Sequence, residues 1–347
     1  MNPNMNPGRK IKESVLVTGG AGFIGSHVTK ELLKQGYEVV ALDDLSGGFE
    51  DNVPPGATFL LGSILDAELL AEAFERYKFD YVFHLAAYAA EGLSHFIKRF
   101  NYMNNLIGSV NLINESIRHE VKCFIFTSSI AVYGTNQLPM REDMVPLPED
   151  PYGIAKLAVE QELRSSREMF GLNYVIFRPH NVYGEHQNTG DKYRNVIGIF
   201  IKNILEDKPV TIFGDGEQTR AFSYISEVAP FLAASIKNEK CFGQIFNIGS
   251  DKPYTVNQLA DIVMRAIGKK AAKVYAPARQ EVIHAYSDHG KLRKYFGEQT
   301  AVPLPEGIAR MYEWVKKVGV RQSQGFENIE IHKNMPASWR ELEGIRP

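Results

Sequence analysis

The sequence predicts an α/β protein in which a doubly wound parallel sheet is joined to a smaller mixed α/β domain. Short apolar runs alternate with helical patterns between residues 15 and 177, as expected for a parallel sheet that helices cover on both faces. Glycines stand at 19, 22 and 25, between the first strand and the first helix. Beyond Arg178, proline and glycine become frequent and the alternation loosens, which indicates a change of architecture.

Hydrophobic periodicity places the individual elements. The predicted strands of the first half are residues 15–17, 37–42, 58–61, 81–85, 123–126 and 174–177, and its predicted helices are 24–35, 66–77, 105–119 and 152–170. The second half contains predicted helices at 196–205, 256–267 and 304–317 and a predicted strand at 210–213. These elements divide the chain into a mobile leader (1–12), a first domain (13–180), a second domain (181–318) that is free to cross back to the first sheet, and a tail (319–347).

Composition excludes several classes of protein. The chain of 347 residues carries 39 basic and 41 acidic residues, which argues against nucleic-acid binding through a broad basic surface. No apolar run approaches the length of a membrane span. Cys123 and Cys241 are the two cysteines of the chain, and two are too few for a disulfide framework or a zinc motif. We therefore expect no metal, buried thiols and a reducing cytoplasm.

The three glycines form the pattern of a dinucleotide-binding turn. Gly19 permits a tight turn, Gly22 lets a pyrophosphate approach the backbone, and Gly25 lets the helix pack closely on the strand. The free N–H groups at the helix start then face the phosphates. A glycine-rich turn alone is weak evidence, but the strand before it and the helix after it predict a Rossmann-type domain over 13–180.

Two aspartates at the end of the second strand predict the identity of the cofactor. Asp43 lies where a carboxylate accepts hydrogen bonds from the adenosine ribose. Asp44 adds a second negative charge, and no Arg or Lys lies between Asp43 and Thr58 to offset it. A 2′-phosphate would be repelled, so we predict NAD rather than NADP. The alternative is that either aspartate only caps a turn.

Tyr152 and Lys156 share one face of a predicted helix because they are four residues apart. A phenol that ionises near neutral pH must lower its pKa by about 3 units, or ~4 kcal/mol, which a neighbouring ammonium and a positive nicotinamide ring can supply. Such a pair alone usually marks a solvated helix face. Together with the glycine motif and the hydroxyls at 127–129, it predicts proton transfer at a substrate hydroxyl.

These motifs together resemble the extended short-chain dehydrogenase/reductase family, in its sugar-nucleotide epimerase/dehydratase branch. The resemblance runs from about Glu13 to Val318 and rests on segments 19–25, 84–87, 104–105, 128–134, 152–156, 178–184 and 213–216. It implies an NAD-binding domain, a smaller domain for a nucleoside-diphosphate sugar, and a homodimer formed by the helices near 105–119 and 152–170. The cofactor contacts that it implies are Gly19, Gly22, Phe23, Ile24, Gly25, Asp43, Asp44, Ser63, Ile64, Leu85, Ala86, Ala87, Asn105, Thr127, Tyr152 and Lys156.

The turn after the fifth strand separates reactions within this family. The resemblance implies that 4,6-dehydratases have Asp-Glu at the two positions before Val-Tyr-Gly, an acid and a base that eliminate water. It implies Ser-Glu at the same positions in the decarboxylases. This chain has Ile130 and Ala131 there, and neither side chain can move a proton. What remains resembles the 4-epimerases, such as UDP-galactose 4-epimerase, with Ser129 as the matching hydroxyl. The resemblance implies that Tyr152 takes the proton of the sugar 4-hydroxyl, that Lys156 holds the nicotinamide ribose, and that hydride leaves C4 and returns to its other face.

The resemblance also implies a binding site for a nucleoside-diphosphate sugar, with a UDP-hexose as the expected substrate. The implied contacts are Ser129, Asn181, Asn195, Val196, Thr211, Phe213, Arg220, Arg279, Glu281 and Ala285. An ion pair with Glu217 or Glu227 is the alternative role for Arg220. Ala285 matches a gate position, where a small side chain admits an N-acetyl group. The resemblance implies that uronate epimerases hold the sugar carboxylate with a Thr and an Arg. This chain has Asn181 and Asn188 at the matching positions, so UDP-glucuronate is not the expected substrate.

Alternatives stay open for the second acid or base and for catalysis itself. A dehydratase or synthase would use Tyr152 only for oxidation and would take its second acid or base from Glu91, His95 or His180. His180 is either a packed histidine or a contact to the sugar. The segment 88–95 follows the fourth strand and adapts the site to its sugar. A non-catalytic NAD-binding regulator would lack the Tyr–Lys pair, and both of its residues are present.

Overall fold

The computed structural model describes residues 12–135, 138–191, 193–278, 282–298, 300–321 and 328–342. The strands of these residues are, in chain order, β1 (Ser14–Thr18), β2 (Glu38–Asp43), β3 (Thr58–Leu61), β4 (Tyr81–His84), β5 (Cys123–Thr127), β6 (Tyr174–Pro179), β7 (Val182–Tyr183), β8 (Val210–Phe213), β9 (Thr219–Ala221), β10 (Ser223–Tyr224), β11 (Gln244–Ile248), β12 (Pro253–Thr255), β13 (Lys273–Ala276) and β14 (His284–Ala285).

The α-helices lie between these strands and after them. They are α1 (Phe23–Lys34), α2 (Ala67–Tyr77), α3 (Glu91–Ser94), α4 (Lys98–Tyr102), α5 (Gly108–Arg118), α6 (Pro151–Phe170), α7 (Val196–Leu205), α8 (Ala229–Ala234), α9 (Val256–Ile267), α10 (Gly290–Phe296), α11 (Leu304–Val318) and α12 (Ala337–Leu342). A π-helical turn, Met103–Ile107, joins α4 to α5.

Seven strands form a central sheet in the order β11–β6–β5–β4–β1–β2–β3. Every neighbouring pair in it is parallel. From β1 the chain proceeds outward through β2 and β3, and it then returns to β4 on the other side of β1. The connections after β1 and β4 therefore diverge, which opens a crevice at the carboxyl ends of these strands. This topology confirms the predicted fold class.

Apolar side chains cover both faces of the sheet, as the uninterrupted apolar runs predict. In β1, Val15 and Val17 pack into one core cluster and Leu16 into the other. Helix α1 contributes Val28 to the first cluster, and α2 contributes Phe74 to the second. Burial on both sides explains why the strand has no polar alternation.

Small sheets in the second half of the chain hold several of the predicted substrate residues. Their orders are β12–β9–β14, β13–β8 and β10–β7. In the first of them Arg220 and Ala285 are opposite each other in a parallel register. In the second, β8 carries Thr211 and Phe213 and pairs with β13.

Most of the predicted elements lie close to their predicted bounds, although the helix predicted at 105–119 is divided into the π-helical turn and α5, and several short elements, such as α3, α4 and β9, were not predicted. Helices α7 and α9 and strand β8 coincide with their predictions, and α1, α2, α6 and α11 differ by one residue at either end. Strand β11, with the sequence QIFNI, was missed because two of its five residues are polar and its partner β6 lies far away in sequence. Since β11 joins the central sheet, the chain does cross back. The proposed division at residue 180 stays a prediction, and leader residues 1–11 lie outside the described residues.

Two absences hold for the described part of the chain. None of its helices is long and apolar enough to cross a bilayer. The same residues contain no group of three His, Cys, Asp or Glu side chains that could hold a metal ion. Cys123 and Cys241 are both buried free thiols.

Candidate active site

The glycine-rich turn between β1 and α1 is built on close backbone approaches. Gly19 has a φ of +70°, and a Cβ there would lie 2.8 Å from the Ala86 nitrogen of the neighbouring strand connection. A Cβ on Gly25 would lie 1.9 Å from the Gly19 carbonyl oxygen. Any side chain at these positions would push the turn away from β4 or from α1. The turn is thus as narrow as the sequence predicts.

The start of α1 has no cap from its own N-cap residue. That residue is Gly22, which has no side chain to accept the N–H groups of the first turn. The N–H groups of a helix start favour a bound anion. Phe23 and Ile24 form the first turn of the helix and place their backbone beside the crevice between β1 and β4. This arrangement fits a dinucleotide pyrophosphate.

Asp43 and Asp44 differ in their surroundings. Asp43 is buried at the end of β2, and its carboxylate accepts the N–H groups of Ala21, at 3.1 Å, and of Leu45, at 2.8 Å. Burial raises the pKa of Asp43, and the bonds to these N–H groups partly oppose the rise. Asp44 is exposed and accepts the N–H and hydroxyl of Ser46. Asp43 therefore contacts the glycine-rich turn, whereas Asp44 caps a local turn.

The other predicted cofactor residues surround the same crevice. The Thr18 hydroxyl accepts the N–H groups of Leu85 and Ala86, each at 3.2 Å, and so ties the end of β1 to the end of β4. Ala87 is the next residue along, and Ser63 accepts the N–H of Leu65 after β3. The buried residues of this group are Ile64, Asn105 and Thr127. The amide of Asn105 bonds both backbone groups of Tyr88 and so fixes the chain that follows β4.

Tyr152 is the second residue of α6, and the capping of this helix fixes its position. The Asp150 carboxylate caps the helix by accepting the Gly153 N–H at 2.9 Å, and Pro151 occupies the first helical position. The Tyr152 N–H donates to the Ser94 hydroxyl at 3.2 Å. The ring is 7% exposed. Burial raises the pKa of Tyr152; the Ser129 hydroxyl and Arg194 act against the rise, whereas Glu91 and Asp150 add to it.

Lys156 lies one turn further along α6 and is 2% exposed. Its ammonium donates to the Thr127 carbonyl at 2.8 Å and lies 5.7 Å from the centre of the Tyr152 ring. Burial lowers the pKa of Lys156 to about 7, and Glu160 opposes the change. The structure therefore brings Tyr152, Lys156 and the end of β5 together.

Ser129 begins the turn after β5, whose residues distinguish the reactions implied by the resemblance. Its hydroxyl accepts the Ala131 N–H at 3.1 Å and caps a short 3₁₀ helix, Ile130–Tyr133. Ala131 is buried, and Tyr133 donates its hydroxyl hydrogen to Asn247 at 2.8 Å. Ile130 and Ala131 therefore place apolar groups beside Ser129. The resemblance implies an acid and a base at these two positions in dehydratases.

A buried ion pair lies beneath the turn formed by residues 128–134, called the catalytic turn below, and this ion pair was not predicted. The Arg178 guanidinium binds the Glu160 carboxylate at 2.5 Å, and both side chains are 2% exposed. The Ser128 hydroxyl donates to the same carboxylate at 2.5 Å. Glu160 shares the face of Tyr152 and Lys156 on α6, so the pair fixes this face against β5 and β6. The spacing of 152, 156 and 160 was the available signal.

Asn181 and Arg220, two predicted substrate residues, are both tied to strand β9. The Asn181 amide donates to the Ala221 carbonyl at 3.1 Å. The Arg220 guanidinium donates to the carbonyls of Thr219 and Ile283, at 2.9 and 2.8 Å, and also to that of Val282. These bonds tie β9 to the chain that enters β14.

The remaining predicted substrate residues are dispersed over three elements. Asn195 is the exposed N-cap of α7, with a φ of +67° and no side-chain cap, and Val196 follows it. Ala285 packs in a small apolar cluster with Val132, Tyr133 and Met140. The proposed gate therefore lies against the catalytic turn. Arg279 and Glu281 lie outside the described residues.

His180 is a packed histidine. It is 2% exposed, its Nδ1 lies 3.1 Å from the Ala221 carbonyl, and its Nε2 lies 3.1 Å from Nε2 of His289. Burial lowers the pKa of His180 to about 3. Because both ring nitrogens have partners within the protein, His180 is a poor candidate for the second acid or base. Glu91 and His95 belong to α3 and its C-cap.

Comparison with known proteins identifies the family. A sequence model of the NAD dependent epimerase/dehydratase family matches residues 15–249. The chain belongs to this family. A putative UDP-glucose 4-epimerase of Methanocaldococcus jannaschii is 36% identical over 307 residues, which cover 87% of this chain and 98% of that protein.

Two solved structures share both fold and sequence with this family member. The UDP-glucose 4-epimerase of Thermotoga maritima, solved with UDP-glucose, matches with a TM-score of 0.84 and 36% identity, over 88% of this chain and 99% of that chain. The UDP-N-acetylglucosamine 4-epimerase of Methanobrevibacter ruminantium, solved in complex with UDP-N-acetylmuramic acid, matches with a TM-score of 0.82 and 32% identity over the same shares. Family membership confirms the predicted NAD cofactor, and the glycine-rich turn and uncapped α1 fit it.

Proposed function

We propose that this protein is an NAD-dependent 4-epimerase that interconverts UDP-hexoses through a transient 4-keto sugar. One arrangement carries the proposal. Tyr152, Lys156 and Ser129 surround one point at the end of β5, and the turn beside them presents Ile130 and Ala131. The site thus has groups for oxidising and reducing a carbinol, and it has no acid and base at the positions used for elimination.

Tyr152 is the proton acceptor in this proposal. Its phenolate takes the proton of the 4-hydroxyl as the C4–H bond breaks, and it returns that proton when the bond forms on the opposite face. When bound, NAD accepts and returns the hydride. Since burial raises the pKa of Tyr152, the phenolate needs positive charge close to it, and the Lys156 ammonium supplies part of that charge. Ser129 donates to the 4-oxygen.

The substrate class rests on the second half of the chain. Asn181, which bonds the Ala221 carbonyl, and Arg220, the preceding residue of β9, supply an amide and a guanidinium, groups that suit a diphosphate. Ala285 contributes only a methyl group next to the catalytic turn, so we propose that N-acetylhexosamines fit as well as plain hexoses. Asn188 is buried and donates to the Gly47 carbonyl, and it places no cation there for a uronate.

We also propose a homodimer and a cytoplasmic location. Met103, Ile107 and Ile154 are 39%, 42% and 43% exposed, and they lie on the helical segments that precede α5 and begin α6. Exposed apolar side chains on packed helices favour a helix-to-helix interface. The two free buried cysteines fit a reducing compartment.

The function is tested by product analysis. Purified protein is incubated separately with UDP-glucose, UDP-galactose, UDP-N-acetylglucosamine and UDP-glucuronate, and the products are followed by NMR. The proposal predicts C4 epimers of the neutral sugars. A dehydrated or accumulating 4-keto product would contradict it, and efficient turnover of UDP-glucuronate would contradict the proposed substrate class.

A further inference from the structure

The tail of the chain forms a small apolar cluster with the segment that follows β4. Trp339 and Met335 are 3% and 1% exposed, and they pack with Ala90, Leu93 and Ile97. The Trp339 ring lies edge-on to Phe96, with 6.1 Å between ring centres. A Cβ on Gly92 would lie 3.3 Å from the same indole. This cluster is separate from the two clusters that cover the central sheet.

Polar contacts fasten the tail at a second point. The Glu330 carboxylate accepts the N–H groups of Arg99 and Phe100, each at 2.8 Å, and so caps the start of α4. The N–H groups of Glu330 and Ile331 donate to the Phe96 carbonyl at 2.9 and 3.1 Å. Helix α4 has no cap from its own N-cap residue, so the tail supplies it.

The same segment, 88–105, holds the first turn of α6 on its other side. Ser94 of α3 accepts the Tyr152 N–H at 3.2 Å. Asn101 of α4 donates to the Pro151 carbonyl at 2.8 Å. The tail thus contacts α3 and α4, and these two helices contact the N-terminus of α6, which carries Tyr152.

The tail also contacts the loop that precedes α7. The Trp339 ring lies edge-on to Tyr193, with 5.2 Å between ring centres. The next residue, Arg194, stacks over Tyr88 at 4.5 Å. The loop that carries both residues leads into α7 at Asn195. Trp339 therefore contacts both the segment after β4 and the loop that leads into α7.

We propose that the C-terminal segment 328–342 is a positioning element of the active site, in which Trp339 and Glu330 hold α3 and α4 against the first turn of α6. The inference rests on the proposed epimerase function. The family model ends at residue 249, so this element lies outside the segment that defines the family. A local cluster that is independent of the main core opens without global unfolding, and its loss therefore displaces Tyr152 while leaving the fold intact.

The experiment compares the full chain with a chain that ends at residue 327 and with Trp339→Ala, Trp339→Phe and Glu330→Gln. Lys333→Ala, an exposed tail substitution, is the matched control. The readouts are kcat and KM for a UDP-hexose, the pH profile of kcat, and amide hydrogen exchange of residues 150–153. We expect kcat to fall by about tenfold or more in the truncated chain and in Trp339→Ala, because small displacements of a reacting group cost rate.

Three further results are expected from a positioning role. The acidic limb of the kcat profile moves to higher pH, because a displaced phenol loses the charge of Lys156. Exchange at 150–153 becomes faster. Trp339→Phe recovers most of the loss, Glu330→Gln shows a smaller fall, and Lys333→Ala behaves as wild type. A lower Tm of Trp339→Ala with unchanged kcat, pH profile and exchange would overturn the inference. If the truncated chain does not fold, the results for Trp339→Ala alone decide the question.

Failure of the proposed function has a different signature. A wild-type protein that converts no UDP-hexose contradicts the function, and the exchange measurement still decides whether the tail holds residues 150–153. A wild-type epimerase whose truncated form keeps kcat within about twofold overturns the inference alone, since misplacement of the acid–base group carries a larger penalty.

Discussion

At the scale of single residues, the face of α6 that carries Tyr152 includes the buried Lys156, and the catalytic role proposed for its charge comes at a cost to the stability of the fold. The pKa of Lys156 is lowered from 10.5 to about 7 by burial. Between these two pH values the folded chain binds fewer protons than the unfolded chain, so stability rises with pH across this window. The buried lysine lowers the free energy of unfolding at neutral pH, and an apolar side chain at the same position would not do so.

Lys156→Met tests this account of the buried ammonium. We expect the variant to be more stable than wild type at pH 7, by up to about 4 kcal/mol, and the difference to close as pH approaches 10.5, where the unfolded lysine is also neutral. The free energy of unfolding is measured by denaturant titration of nucleotide-free protein at several pH values. A difference that does not change with pH would show that Lys156 is not destabilised by burial. Epimerase activity is expected to be lost at every pH.

Asp43 holds the glycine-rich turn through its hydrogen bonds, and we propose that its charge determines the cofactor preference. Asp43→Asn keeps an acceptor oxygen and removes the charge, so the affinity for NADP relative to NAD is expected to rise by about tenfold. Asp43→Ala removes both features and is expected to weaken NAD binding as well. Cofactor affinities are measured by isothermal titration. Copurification of the wild-type protein with NADP would contradict this role.

At the scale of elements, the sequence predicts what is local and periodic. Helix α9 is predicted correctly because its apolar residues repeat at helical spacing and Thr255 caps its start. The tail helix α12 and the pair α3–α4 are too short for a periodic signal, and their packing depends on partners more than two hundred residues apart, as in the contact of Glu330 with Arg99. Tyr152, Lys156 and the glycine turn were predictable from spacing, whereas the role of Ser94 required the fold.

The proposed substrate gate, Ala285, belongs to strand β14. Ala285 pairs with Arg220 and packs against the catalytic turn, so Ala285→Tyr places a ring beside Val132 and Tyr133. Turnover of UDP-N-acetylglucosamine is expected to fall by at least about tenfold, because the larger side chain takes the space proposed for the N-acetyl group, while turnover of UDP-glucose falls less. Progress curves with both substrates measure the ratio. Equal losses for the two sugars would show that Ala285 is not the gate.

At the scale of the whole molecule, the central sheet takes its seventh strand from the second half of the chain, so the two halves share one core. The alternation of the first 177 residues predicts six strands, and only the folded chain reveals that β11 completes the sheet beside β6. The substrate-side residues therefore attach to the sheet through β6 and β11. The predicted division at residue 180 falls between β6 and β11 of this sheet, and it stays a prediction.

The dimer proposal is also a statement about the whole molecule. Ile107→Glu introduces a charge on the exposed apolar face of the helices before α5 and at the start of α6, and it is expected to convert a dimer into a monomer. Val274→Glu, at an exposed apolar site on β13, is the control and is expected to leave the dimer intact. Light scattering coupled to size-exclusion chromatography gives the mass of each. A wild-type monomer, or dissociation by both variants, would contradict the proposed interface.

The most direct test of the central claim is the turnover of UDP-glucose by Tyr152→Phe, measured together with its content of bound NAD. Phenylalanine preserves the ring packing at the start of α6 and removes the one group proposed to take the 4-hydroxyl proton. The account predicts that turnover falls by about 10²–10⁴-fold, the usual contribution of a general base, while NAD content and Tm stay those of wild type. Turnover within about tenfold of wild type would lie below that range and would contradict the assignment of Tyr152 as the catalytic base.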